Sequence, residues 1–258
     1  MSEDELVLRL RTAGCVFAEE EAALLLDAAG SPAELAAMTA RRVAGEPLEY
    51  VVGWAEFCGV RMVVEPGVFV PRHRTELLVD EAGRLLDGRP GAPLVVDLCC
   101  GSGALGAALA GRRTVRLYAA DVDAAAVRCA RVNLAAVGGV VLEGDLFDPL
   151  PPDLRGHVEV LMANVPYVPT GAITLMPPEA RDHETRATLD GGADGLEVMR
   201  RVAAAAPRWL VAGGTVLFES SERQAVAMCE VLAAVGLAPR VVVSEDLGAT
   251  VVTGRREP

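Results

Sequence analysis

Apolar positions recur at helical spacing three times before residue 44, then alternate in twos. From residue 93 they settle into short Val- and Leu-rich runs separated by Ala-rich stretches. The first pattern predicts short helices over 3–12, 19–29 and 31–43. The third carries the fullest start signal, with Ser31 as cap, Pro32 at the first helical position and Glu34 as the capping-box acid. Arg41, Arg42 and Gly45 close it. Residues 50–71 alternate around Gly53, Gly59 and Gly67, which predicts extended, hairpin-like chain. VRMVVEP is its clearest strand and GVFVPR a second extended segment. A helix over 75–86 follows, carrying Leu77, Leu78, Leu85 and Leu86.

Beyond 93 the spacing predicts strands at PLVVDL, VRLYAADV (115–122), VVLEGDL (140–146) and VEVLMANV (158–165). Another is expected at 215–219, after a turn at Gly213 and Gly214. Helices over 102–110, 123–136 and 221–235 intervene, and the closing VVVSEDLGATVVTGR reads as a hairpin. Strands this rich in Val and Leu, joined by Ala-rich crossovers, predict an α/β fold with a doubly wound, Rossmann-like sheet of seven strands. The expected division is a short helical region (1–44), an extended β-hairpin linker (45–74) and a main domain (75–258), the first piece too small to bury much alone.

A formal charge of −12 and a pI near 4.8 argue against broad contact with a phosphate backbone. The six cysteines form no CxxC pair and only three histidines are present, so neither a zinc site nor a disulfide framework is indicated. The start, MSEDELVLRLR, is acidic and lacks a signal peptide's basic residues and apolar run. No apolar stretch of 18 residues reads as a membrane span, and the expected compartment is the cytoplasm. Nothing in the sequence specifies an oligomer.

Candidate chemistry begins at VVDLCCGSGALG (95–106), a strand running through a glycine turn into a helix. Gly101, Gly103 and Gly106 spell GxGxxG, whose glycines permit the turn and let a ligand approach the backbone. Asp121 lies 20 residues after Gly101, at the end of the next strand, where a carboxylate can grip two ribose hydroxyls. Asp97 at the ligand end of the first strand would repel a pyrophosphate but suits an ammonium or sulfonium, which favours S-adenosylmethionine over NAD. Asp145 and Leu146, in EGDLF, can border an adenine ring. The structural alternatives are that Asp97 and Asp145 only cap their loops. Asp123 reads as the N-cap of the helix after it.

The second constellation is Asn164, Val165, Pro166 and Tyr167, after the fourth strand. The Asn164 side-chain oxygen can accept an N–H from an amide, and the Val165 carbonyl a second. Pro166 holds Val165 extended and so fixes that carbonyl's direction. Tyr167 supplies a flat wall and a hydroxyl. A plain proline turn capped by Asn164 is the structural alternative.

With these motifs stand GEPLEYVVGWAEFCG (45–59), GVFVPRHRTELLV (67–79), AADVD, GDLF, LDGGADGLEVMRR (189–201) and GGTVLFE. Over most of 40–258 the chain resembles the protein-(glutamine-N5) methyltransferases that modify the GGQ glutamine of peptide chain release factors. The resemblance implies an S-adenosylmethionine-dependent N-methyltransferase acting on a protein glutamine. It implies cofactor contacts from the glycine turn, Asp121 and Asp145, with Asn164 touching cofactor and acceptor alike. It also implies substrate contacts from Tyr167 and from Arg72 and Thr75 in PRHRTE. Val165 stands where the family's NPPY has its first proline, PRHRTE where it has PRPxTE, and Glu184–Thr185 where a Glu–Pro pair is usual. The helical region before Gly45 is short for the family. Another peptide, protein or small-molecule amide or amine is the alternative acceptor, and a non-catalytic cofactor-binding interaction protein the third reading. Arg181, Asp182 and His183 lie where an altered acceptor choice would be expected, with a plain solvated loop the equal alternative for each.

Overall fold

A computed structural model of the protein describes residues 1–257. Helices α1 (Glu3–Thr12), α2 (Ala18–Ala28) and α3 (Pro32–Val43) close around Leu6, Leu10, Leu25, Leu35 and Met38. Ser31 caps α3 by accepting the Glu34 N–H at 3.2 Å. Glu34 does not return the bond to Ser31, as a capping box would; its carboxylate accepts the Gly30 N–H at 2.9 Å instead.

The alternation over 50–71 is only partly extended. Leu48–Val52 forms a short helix, α4, stopped by Gly53 in the left-handed region, and the hairpin is confined to β1 (Trp54–Phe57) and β2 (Val60–Val63). The GVFVPR segment joins no sheet. Its Val68 and Val70 pack with Tyr50, whose hydroxyl donates to the Val68 carbonyl at 2.6 Å. The same cluster takes in Ala126 and Cys129, which ties the segment to the part of the chain that carries the large sheet.

That part holds β3 (Leu94–Leu98), β4 (Arg116–Asp121), β5 (Val140–Glu143), β6 (Val158–Ala163), β7 (Leu210–Ser220), β8 (Leu237–Ser244) and β9 (Ala249–Arg256). The sheet has seven strands, as predicted, in the order β5-β4-β3-β6-β7-β9-β8. Pairs from β5 to β7 are parallel, and β9 is antiparallel to both neighbours. Helices α5 (Glu76–Leu85), α6 (Ala104–Arg112) and α7 (Ala124–Leu134) cover one face. On the other lie α9 (Glu197–Trp209) and α10 (Glu222–Ala234), while α8 (Pro178–His183) sits in the loop after β6.

Gly213 and Gly214 do not make the predicted turn. β7 runs through them, with Gly213 at φ +77° and a register shift in the pairing with β6. A Cβ on Gly214 would lie 2.7 Å from the Val158 carbonyl oxygen, so the pair permits a bulge and close strand approach.

Leu161 in β6 is fully buried in the layer beneath α9. Leu161→Ala should lower stability by about 2–5 kcal/mol in urea unfolding; an unchanged midpoint would contradict this packing.

Candidate active site

The chain leaves β3 for β4 and β5 on one side, then crosses back to β6 on the other. The loops after these strands therefore border one crevice at a topological switch point. They line a cavity of about 220 Å³ reached by Gly101, Asp121, Leu146, Asn164 and Tyr167.

At the β3 end, Cys99 (φ +52°) and Gly101 (φ +54°) turn the chain through the left-handed region. A Cβ on Gly101 would meet no protein atom, because that side opens on the cavity. Asp121 fixes the turn from β4: one carboxylate oxygen accepts the Gly101 N–H at 2.8 Å, the other the Asp123 N–H at 2.9 Å. Each oxygen keeps a lone pair for a ligand hydroxyl. Asp123 caps α7, accepting the Ala125 N–H at 2.7 Å.

Two of the expected cofactor residues do not line the cavity. Gly103 faces α7, where a Cβ would come within 3.1 Å of the Ala130 Cβ; it is a packing glycine. Asp97 is fully buried beneath the turn and accepts the Gly106 N–H at 3.1 Å, while its Oδ1 has no partner among the described residues. It holds the first turn of α6 rather than contacting the cavity. Asp145 sits in the loop beyond β5, exposed, with one oxygen paired to Arg201 of α9, and Leu146 beside it takes φ +49°.

Burial pushes the thiols of Cys99 and Cys100 up, so neither supplies a thiolate. What lines this end is an open glycine backbone with the carboxylates of Asp121, Asp123 and Asp145. That set of acceptors fits the ribose hydroxyls and amino groups of S-adenosylmethionine and opposes a pyrophosphate.

At the β6 end, neither the Asn164 carboxamide nor the Val165 carbonyl has a hydrogen-bond partner among the described residues, and both residues line the cavity. The Val165 side chain is buried with Leu98, Phe147 and Leu196, so core packing anchors the turn. The 189–195 loop clamps the turn from outside. Val168 donates to the Leu189 carbonyl at 3.0 Å, and Gly191 to that of Val168 at 2.9 Å. A Cβ on Gly191 would lie 2.7 Å from the Pro166 oxygen, and one on Gly195 would overlap the Tyr167 carbonyl. These glycines of LDGGADG are needed for close backbone approach.

The Tyr167 hydroxyl donates to Glu219 at 2.8 Å and accepts from Arg74 Nη2 at 2.8 Å. Arg74 Nε also donates to Glu219, at 2.9 Å, and the Thr75 hydroxyl donates to its other oxygen. Burial and the Glu219 charge push the Tyr167 phenol up, keeping it protonated. Thr75, expected to contact substrate, is buried and directs its hydroxyl at Glu219. Arg72 reaches the cavity wall but pairs with buried Glu184, which also accepts the Val70 N–H at 3.4 Å. Burial raises the Glu184 carboxyl and Arg72 opposes that. Arg181, Asp182 and His183 belong to α8 and do not line the cavity; Glu184 just after them does. Arg74, Glu219 and Arg201 fall inside the quoted motifs without being singled out there, and Glu184 enters only through the Glu184–Thr185 pair.

A family model described as methyltransferase small domain matches residues 59–176. The chain is 37% identical over 232 residues to a release factor glutamine methyltransferase of Geobacter sulfurreducens, covering 88% of this chain and 80% of that one. It is 37% identical over 201 residues to a 4-amino-L-phenylalanine/4-methylamino-L-phenylalanine methyltransferase of Streptomyces pristinaespiralis, covering 76% and 68%. It shares its fold with ribosomal protein L11 methylase of Lactobacillus delbrueckii subsp. bulgaricus, at a TM-score of 0.54 and 16% identity over 76% of this chain and 84% of that one.

Burial pushes the Asp97 carboxyl from 3.8 up to about 7, and the Asp121 charge adds to the rise against the Gly106 N–H. The folded state thus holds this proton more tightly than the unfolded state. Its contribution is present below 3.8 and is lost as pH rises toward about 7, with a limiting slope of about 1.4 kcal/mol per pH unit. Asp97→Asn should flatten the fall in stability measured by urea unfolding between about pH 4 and 8. Parallel pH profiles for the two proteins would contradict the placement of a buried carboxyl here.

Proposed function

This chain belongs to the release factor glutamine methyltransferase family, and on that premise we propose that it methylates the side-chain amide nitrogen of a protein glutamine, with S-adenosylmethionine as donor. When bound, S-adenosylmethionine supplies an electrophilic methyl group. The Gly101 backbone and Asp121 would hold its amino-acid and ribose parts, and Asp145 and Leu146 would border the adenine. One observation carries the acceptor assignment: Asn164 and Val165 bring two free acceptors, a carboxamide oxygen and a carbonyl oxygen, to the same cavity. A primary amide has two N–H donors, and this pair matches them.

Tyr167, pinned by Arg74 and Glu219, walls the acceptor and limits its rotation. The carboxylates behind that wall, Glu184 and Glu219, are held by guanidinium partners. The nitrogen is therefore prepared by orientation, which alone can supply several kcal/mol, rather than by deprotonation. The glutamine we assign is that of a release factor, after the relative in Geobacter sulfurreducens. A second reading, a small-molecule amine, is favoured by the relative that acts on 4-amino-L-phenylalanine. We place the enzyme in the cytoplasm: its six cysteines are free, and no helix among the described residues is long and apolar enough to cross a membrane.

Labelled S-adenosylmethionine, incubated with the protein and purified release factors, should give mono-methylation that mass mapping places on the GGQ glutamine. Label appearing only on 4-amino-L-phenylalanine, supplied in a parallel reaction, would transfer the assignment to the second reading. Label on neither, with cofactor binding shown by calorimetry, would overturn both acceptors.

A further inference from the structure

The acceptor end of the cavity carries two guanidiniums, Arg72 and Arg74, on the short segment before α5. Each is backed by a carboxylate hidden from water. The side chains of Glu184 and Glu219 are 1% and 2% exposed, while those of Arg72 and Arg74 are 34% and 48% exposed. Ion pairs oriented this way present the cation to solvent and keep the anion behind it.

Arg74 is at the reacting end because its Nη2 bonds Tyr167, three residues beyond Asn164. With Nε on Glu219, its Nη1 has no partner among the described residues. Arg72 uses only Nη2 on Glu184, and its guanidinium carbon lies 5.3 Å from the Phe69 ring centroid. Neighbouring charges leave the pair unneutralised from outside. His73 between them is exposed and engages Glu76 at 3.0 Å, and the other lining carboxylates, Asp121, Asp123 and Asp145, belong to the β4 and β5 loops. In a chain of net charge −12, two forked cations at the catalytic mouth have a defined chemical complement, a planar carboxylate.

Resting on the N-methylation reading above, we propose that the acceptor molecule carries a carboxylate as well as the nitrogen to be methylated, and that Arg74, with Arg72, binds it. An acidic side chain flanking a glutamine and the α-carboxylate of a free amino acid offer the same oxygens. Arg74 then has two faces: one fixes Tyr167 and Glu219, and the other reads the acceptor.

The test measures affinities of the full chain saturated with S-adenosylhomocysteine, so that no turnover is needed. Matched glutamine peptides carry Asp, Asn or Lys beside the glutamine; 4-amino-L-phenylalanine is compared with its α-carboxamide. Within at least one series the carboxylate probe should bind about 3–10-fold more tightly than its neutral partner, and the preference should shrink as salt rises. Arg74→Glu should reverse the peptide order toward Lys, or abolish the amino-acid preference. Arg74→Lys should retain a reduced carboxylate preference. Arg72→Glu provides an independent charge reversal should Arg74→Glu not fold. Preference in the peptide series alone assigns the carboxylate to a flanking residue, and in the amino-acid series alone to the free amino acid. Equal binding within both series, no binding of either carboxylate probe, or a preference that survives charge reversal would overturn the proposal. A carboxylate preference without methylation of any glutamine would instead sink the glutamine assignment and leave this one standing.

Discussion

Glu219, buried at the end of β7, is the interaction on which the acceptor wall depends. A carboxylate out of water is costly unless donors surround it. Here the donors are Thr75, Arg74 and Tyr167. Two of them precede α5 and the third follows β6, so one side chain fixes two segments far apart in sequence. The edge of the parallel sheet thereby positions the linker segment as well as the turn at 164–167. Loss of any one donor would leave a buried charge under-satisfied, which makes the arrangement a single cooperative unit.

The cavity then divides by element. The β3 and β4 ends hold an open glycine backbone pinned by Asp121, while Asp97 holds the first turn of the helix that follows. The β6 end presents two unengaged acceptors on a turn held in two ways: the Val165 side chain is packed in the core, and the 189–195 glycines let a second loop bond directly to Val168. Rigidity here comes from packing and backbone pairing together with the Pro166 ring.

The layers of this fold were legible because their signals are local. Val-rich runs, Ala-rich crossovers and the Ser31–Pro32 start are short-range patterns, and most helices and strands stand where those patterns fall. The exceptions include α4, in a stretch that reads as extended, and α9, which is not among the predicted helices. The loops after β3, β4 and β6 could be placed at one crevice because parallel topology brings strand ends together. Errors arose where a distant partner decides the outcome. Gly103 looked like a ligand glycine, but Ala130 across the helix interface explains it. Gly213 and Gly214 looked like a turn because the bulge against β6 is invisible locally. Thr75 does border the cavity, but its hydroxyl is engaged by a partner 144 residues away, and Arg74 drew no notice because its partner is equally distant.

The most direct test of the division between cofactor and acceptor ends is Asn164→Ala, measured for both turnover and S-adenosylmethionine affinity. Methyl transfer should fall by at least about 100-fold while cofactor affinity changes by less than about 3-fold, as expected for a lost orienting contact. Unchanged transfer, or a loss of cofactor affinity that accounts for the whole drop, would contradict the placement of the acceptor amide on Asn164.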